Sequence, residues 1–470
     1  MRSHSGEPWS LRGLLPTTMG PSLPNGRNYT DRTSKDQLQS RPAFGVIGLI
    51  LLGFASIAFY VQIFLLGDLR QRIPEFLVCY FVLFTIYLWA AFRTRHYFQK
   101  SLLWTILGFA LLFRLILFFS EPCLSDDIHR YLWEGYLQSH GVNPFKYAPD
   151  APELVPLRND VWLRVNNKDA SAIYPPLLQA VHAAAFMIFR SAWGFKLLFL
   201  LAEAALIWVL LRLLKLYGRN SGKIVFYAWN PLVIVEIAGS GHHDACVVAL
   251  LLATALFALT THQAKAVLAL AGSILCKLYP VTSLPFFFKR IGWRHLVWLP
   301  IILVAGYLPY ASAGSRLFAA LLYYREKWRF NGFLFMQLSE QLKDERQAEQ
   351  LMLLVVGLVI GGACLYLGPD LLEQLYWATG AVLLCAPTLF PWYLIWMVPF
   401  LCFFPNPAWL LLTALSPLSY YVLIDWWTLG LWRQSDLFLR LEYYPFYGLL
   451  IWNFLRVWRA KTKVRCANNC

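Results

Sequence analysis

Charged residues are scarce in this chain: they make up 14% of its 470 residues, against roughly 25% in an ordinary soluble domain. Acids are the scarcer half, with 26 Asp and Glu against 41 Lys and Arg. Cysteine is sparse and lacks pattern. Most of the nine lie in apolar runs (Cys79, Cys246, Cys276, Cys364, Cys385, Cys402), with no CxxC or other metal spacing. They read as small packing residues, and no metal or other cofactor is expected. No repeat of roughly 20–50 residues is evident, which argues against a solenoid. No cleavable signal peptide is visible either. Residues 1–42 are polar and rich in Ser, Gly and Pro, and the first apolar run, near 43–67, reads as an anchor.

What is abundant is apolar surface. Hydrophobic residues reach 58% and aromatics 17%, and the mean hydropathy is +0.50. A water-soluble globule of this size has too little interior to hide so much. The same composition excludes disorder and coiled coil. An all-α polytopic membrane protein remains, with 11 to 14 transmembrane or re-entrant helices at roughly 20 residues per span.

The net charge of +15 would suggest nucleic acid in a soluble protein. Here the basic residues sit in the tails and short loops, so they read as cytoplasmic anchors facing anionic lipid, and no nucleic-acid partner is expected. The N-terminus, the loop at Arg93, Arg95 and Lys100, the loop at Arg212, Lys215, Arg219 and Lys223, the stretch from Lys289 to Arg294 and the C-terminus are assigned to the cytoplasm. Loops 121–172 and 312–348 then face outward. Cys466 and Cys470 in the basic tail are candidates for acylation. Parity of crossings requires that run 174–189, which opens Tyr174-Pro175-Pro176, does not cross. It also makes 265–288 a re-entrant hairpin around Lys277. Irregular backbone at that depth needs cover from protein or a wet cavity.

The most informative stretch is EPCLSDDIHRYLWEGYLQSHGVNPFKYAPD, residues 121–150. Ser125 reads as an N-cap, with Asp126 and Asp127 in the first turn, where the helix dipole favours anions. Ile128, Tyr131, Leu132 and Tyr136 follow helical spacing, so 126–139 is expected to be an amphipathic helix on the outer bilayer surface. Arg130 lies one turn from both acids as their expected ion-pair partner. Further ionisable groups fall near run ends on the same side: His242, His243 and Asp244 in an outer turn, Lys277 inside an apolar run, and Arg325, Lys327 and Arg329 in the second outer loop. Adjacent histidines diverge on a helix, and no third ligand has suitable spacing, so a metal is not expected. An acidic pair among cations at a membrane surface suits one chemistry. Asp takes a proton from a hydroxyl while Lys, Arg or His neutralise a departing phosphate. Lys277 has a structural alternative, pairing with Asp244 or Glu236.

A span ending in SDDIHRYLWEG, then GVNPFKYAPD and IYPPL, resembles the polyprenyl-phosphate-sugar-dependent glycosyltransferases of the GT-C superfamily. The likeness is to bacterial alpha-mannosyltransferase-like members and, more distantly, to GPI mannosyltransferases. FYAWNPLVIVEIAGSGHHD, CKLYP, WRFN and PTLFPWYLIWMVPF follow in that family's order, so the resemblance covers about 101–400. It implies Asp126 or Asp127 as catalytic base, and Arg130 holding the donor phosphate or the acid itself. Asp244 of the GH-x-D stretch and Lys277 of the K-x-Y-P stretch match family positions. His242, His243, Tyr279 and Arg329 join the substrate and phosphate candidates. Many relatives read His-Pro-Trp-Tyr where this chain has Phe390-Pro391-Trp392-Tyr393, so a histidine role there is lost.

The expected layout is a cytoplasmic tail (1–42), two additional spans (43–100), a GT-C-like catalytic module (101–400), C-terminal spans (401–458) and a basic tail (459–470). The expected enzyme sits in a bacterial inner membrane with both termini cytoplasmic. It moves a hexose, mannose for preference, from a polyprenyl-phosphate carrier to a glycan, lipid or protein acceptor on the outer face, with inversion. A phosphate leaving group makes a second carboxylate or a nucleotide unnecessary. The alternative is a lipid-linked-saccharide flippase. Transporters favour paired repeats and midplane charges, whereas here most ionisable candidates fall on one side.

Overall fold

The computed structural model describes residues 45–94, 100–368 and 370–468. The N-terminal tail 1–42 lies outside them, as do Cys470 and the side chain of Cys466. Helices dominate, and no β-strand occurs among the described residues. In chain order the principal ones are α1 (Val46–Leu65), α2 (Ile73–Thr94), α3 (Lys100–Phe118), α4 (Asp127–Ser139), α5 (Pro176–Phe189), α6 (Ala192–Leu216) and α7 (Pro231–Gly239). They continue with α8 (Asp244–Leu259), α9 (Gln263–Cys276), α10 (Trp293–Lys327), α11 (Glu345–Tyr366), α12 (Leu371–Cys385), α13 (Pro407–Leu429) and α14 (Asp436–Asn468). The chain is an all-α, polytopic membrane protein.

Seven of these helices, α1, α2, α3, α6, α10, α11 and α13, are long and apolar enough to cross a bilayer. Taken together as one broken span, α7 and α8, which meet at 120° across residues 240–243, make an eighth. The 14 residues of α5 rise about 21 Å, short of the ~30 Å hydrocarbon core. Likewise α9 stops at Cys276, Lys277 is extended, and a 3₁₀ turn starting at Tyr279-Pro280 follows. That break lies where Lys277 placed it in the sequence. The run at 392–404 forms two buried 3₁₀ segments, Pro391–Trp396 and Val398–Cys402, because Pro391 and Pro399 each remove a backbone donor.

The centre of the bundle is the stretch from Ile224 to Ala245, buried throughout except at Gly239. A buried bidentate pair, Arg114 to Glu203 at 2.7 and 2.6 Å, ties α3 to α6, and Arg114 also donates to the Ala110 and Ala228 carbonyls. Lys196 of α6 caps the end of α3 through the carbonyls of Leu117 and Ser120. Charges at membrane depth are costly unless matched this way.

Two glycines set how close α4 can come. A Cβ on Gly135 would lie 2.4 Å from the His182 carbonyl of α5. Gly241, at φ +77°, holds the α7–α8 break with its Cα face against Ile128 of α4, where a Cβ would lie 2.6 Å from that side chain. The amphipathic helix therefore docks directly on the broken span.

Candidate active site

The site begins where the backbone leaves α3 and turns into α4. Ser125 Oγ accepts the Asp127 N–H at 3.3 Å, but the residue in the cap position is Asp126, whose side chain caps nothing. The expected helix thus starts one residue late, and only Asp127 occupies its first turn. That offset separates the two acids. Asp126 turns to the α1–α2 loop, 3.9 Å from Arg70, which is itself paired with Asp68 at 2.8 Å and lies over the Trp427 ring. Asp127 turns inward and accepts the Asn166 Nδ2–H at 3.0 Å.

Both carboxyls titrate above the usual range, and the cause is burial. On Asp126 the main opposing influence is Arg70, while on Asp127 it is the Asn166 hydrogen bond, followed by the charge of Lys277 and then Arg130. His129 beside them is held down to about 4, again by burial with Arg164 and Arg70 adding, so it is neutral near pH 7.

Arg130 departs from both expectations for it. Its Nε donates to Glu134 at 3.0 Å, Nη1 to the carbonyls of Asn166 and Asn167, and Nη2 to those of Ala170 and Ser171. All five N–H groups are used, so none is left for a phosphate or for either aspartate. The reason lies in the loop, which folds back over α4 and presents four carbonyls to one guanidinium. Glu134 is held in turn by Gln179 at 2.7 Å, with His182 Nδ1 at 3.4 Å.

The Gly-Ser-Gly-His-His-Asp stretch, expected in an outer turn, is buried in protein from Ser240 to Asp244. A π-helical turn at Val235–Gly239 and the 120° bend fold it into the bundle. His242 stacks on Trp392 at 4.1 Å, with Nε2 at 3.5 Å from Glu236. His243 packs between Tyr131 and Tyr174 at 4.5 and 4.4 Å. Asp244 Oδ1 accepts from Lys277 Nζ at 2.5 Å and from Trp396 Nε1 at 2.6 Å. The lysine faces the rings of Tyr174, Tyr393 and Trp396. Glu236, the other acid considered for Lys277, instead accepts from Tyr420 at 2.7 Å. Tyr279 stacks on Trp396 at 4.0 Å. Asp244 Oδ2, the Tyr279 hydroxyl and both ring nitrogens of His243 are buried without a protein hydrogen-bond partner. Such groups suit a ligand rich in hydroxyls. Among the described residues no three His, Cys, Asp or Glu are grouped to hold a metal.

Arg329 is not brought to this cluster. It pairs with Glu345 at 2.9 Å and donates to the Arg325 and Trp328 carbonyls. The segment after Arg329 reaches the site through Phe330 instead. Its ring stacks on Phe390, Phe390 on Trp392 and Trp392 on His242, at 4.8, 4.5 and 4.1 Å. Phe390, which stands where many relatives have histidine, is thus a rung in a stack. Asn331, at φ +56°, anchors that segment by donating to Glu442 at 2.8 Å and accepting from Tyr443 at 2.7 Å.

Asn166, Trp396 and the Glu134 contact were not foreseen. Glu134 stands four residues after Arg130, and that helical spacing was a usable signal. Nothing local marks Asn166 or Trp396.

Residues 46–291, more than half of the chain, match the MptA_B family, described as "Alpha-(1->6)-mannopyranosyltransferase, N-terminal domain". The matched region takes in α1 and α2 and every candidate residue except Arg329. The chain is also similar to Alpha-(1->6)-mannopyranosyltransferase A of Corynebacterium glutamicum, 22% identical over 201 residues. That similarity covers 41% of this chain and 38% of the relative, well under half of its length. No solved structure matches the chain.

Proposed function

The chain belongs to the MptA_B family, and from that premise we propose that it is a membrane mannosyltransferase with Asp127 as its catalytic base. The donor in this reading is a polyprenyl-phosphate mannose and the acceptor a mannose-bearing glycan, lipid or protein at the outer face of a bacterial inner membrane. Both termini are cytoplasmic. The observation that carries the choice of base is the divergence of the two acids. Asp127 faces the buried cluster within reach of the Lys277 charge, whereas Asp126 is occupied with Arg70.

The acceptor hydroxyl gives its proton to the Asp127 carboxylate as its oxygen bonds to the mannosyl C1. The C1–O bond to the carrier breaks with its electron pair, leaving a polyprenyl phosphate, and C1 inverts. Phosphate is a good leaving group, so no acid partner, nucleotide or cofactor is needed. Lys277 uses one of its three N–H groups on Asp244. The others suit the leaving phosphate, whose charge grows in the transition state. The unpartnered His243, Tyr279 and Asp244 atoms suit sugar hydroxyls. The charge distribution supports the outer placement of loop 121–172, and labelling that finds position 150 reachable only from the cytoplasm would overturn it.

The test is transfer by purified protein from a short-chain polyprenyl-phosphate mannose to an α-1,6-linked mannose disaccharide. Asp127→Asn should lower turnover by about two to four orders of magnitude, and Asp126→Asn far less. Near-normal turnover in Asp127→Asn removes the base assignment. Transport of the donor across vesicles with no transfer would favour a flippase.

A further inference from the structure

Asn166 lies in an exposed-looking polar stretch, Val165-Asn166-Asn167-Lys168-Asp169-Ala170-Ser171, 39 residues from the acid it touches. Its Nδ2 donates to Asp127 Oδ1 at 3.0 Å, and its Oδ1 is buried with no hydrogen-bond partner. Rotating the amide would set its oxygen against a carboxylate, so the donor end is the one that belongs there. The loop is shaped to hold that amide. Asn167 adopts the left-handed conformation at φ 44°, which Asn tolerates better than most residues. Its carbonyl accepts the Ala170 N–H at 3.1 Å, closing the turn. The carbonyls of 166, 167, 170 and 171 then converge on the Arg130 guanidinium, which Glu134 anchors within α4.

We propose that Asn166 positions Asp127, and that Arg130 serves the reaction by fixing the loop that carries Asn166 rather than by touching substrate. This rests on Asp127 being the base. A planar, five-donor side chain is required for the second role. Lysine offers three donors at one point and cannot hold four separated carbonyls together with Glu134. The ionisable groups around Asp127 are Asp126 and Arg130 on its own helix, Lys277 from the break after α9, and the phenols of Tyr131, Tyr174, Tyr324 and Tyr420. Of the influences that favour the ionised form of Asp127, Asn166 is the largest. Without its N–H the carboxyl should titrate higher, leaving less base at a given pH.

The readout is the acid limb of the turnover–pH profile, with polyprenyl-phosphate mannose and the mannose disaccharide as substrates. Asn166→Ala should move that limb to higher pH by about one unit, with little change in donor KM. Arg130→Lys should move it the same way, and the double variant should add nothing further, since both act through one contact. Asn166→Ser carries the same expectation if the alanine variant does not fold. A folded Asn166 variant whose acid limb stays in place overturns the proposal while leaving the base assignment intact. Near-normal turnover in Asp127→Asn overturns both, so the two failures are distinguishable.

Discussion

The broken span α7–α8 and the continuous span α11 answer the bilayer in opposite ways. In α11 only Ala348 and Ala363 are buried among the described residues, and its leucines face outward, as on a helix in lipid they must. In α7–α8 most residues are buried by protein and none is exposed. That span bends by 120° and carries Glu236, His242, His243 and Asp244. A break leaves backbone groups unpaired and polar groups exposed, and lipid cannot satisfy either. Protein cover lets a span give up regular structure for chemistry. A helix that meets lipid directly keeps its ladder and carries none.

The comparison breaks most visibly at the Lys277–Asp244 pair. Lys277→Met leaves a buried carboxylate without its partner and should cost about 3–5 kcal/mol of stability. Adding Asp244→Asn should restore the melting temperature but not mannosyl transfer. If transfer returns as well, Lys277 has no part in the reaction.

A smaller effect sharpens the contrast in packing. Leu252, buried in α8, should lose about 2–4 kcal/mol on truncation to alanine. Leu354, exposed in α11, should change by under about 0.5 kcal/mol in a detergent-resistance melt, since lipid fills the space. Equal losses at the two positions would mean that α11 is covered after all.

Asp127 should show the opposite sign. The fold raises its pKa, so the folded state binds the proton more tightly than the unfolded chain does. Holding the ionised form therefore destabilises the fold at pH values above the raised pKa, and this penalty disappears below the unfolded value. Asp127→Asn should melt no lower than the parent at pH 7.5, and the two should converge as pH falls toward 4. A clear drop in melting temperature at pH 7.5 would contradict this.

The smallest effect belongs to the segment that leads into Phe330. The Arg325–Glu349 pair lies at the surface and is screened by solvent, so Arg325→Gln should leave both melting and transfer nearly unchanged.

Much of the fold was legible because lipid imposes simple rules. Apolar runs marked the spans, and Lys277 with Tyr279-Pro280 marked a break. The amphipathic spacing of Ile128, Tyr131 and Leu132 marked α4. The site was legible only where its residues are unusual for their surroundings, such as two acids beside a span or a lysine inside one. Asn166 is an ordinary residue in an ordinary polar loop, and its role comes from a turn closed by carbonyls, which carry no side-chain signature. Arg130 was visible as a candidate, but the acceptors it meets were not, since four of them are backbone carbonyls. The depth of the His242–Asp244 stretch was hidden because a π turn and a bend reroute the chain without changing its composition.

The loop that Arg130 gathers has a consequence in time. Arg130 and the first carbonyl it binds are 36 residues apart, so at about 5–20 residues per second the ribosome supplies the second about 2–7 s after the first. Asp244 waits for Lys277 over 33 residues, a similar interval, but for Trp396 over 152, about 8–30 s at those speeds. The clamp around Asp127 can therefore close while much of the chain is still unmade, whereas the cluster beneath it completes late. A nascent chain arrested shortly before residue 396 should already protect the Ala170 amide, which donates to the Asn167 carbonyl, from exchange, with Asp244 still missing one of its two donors.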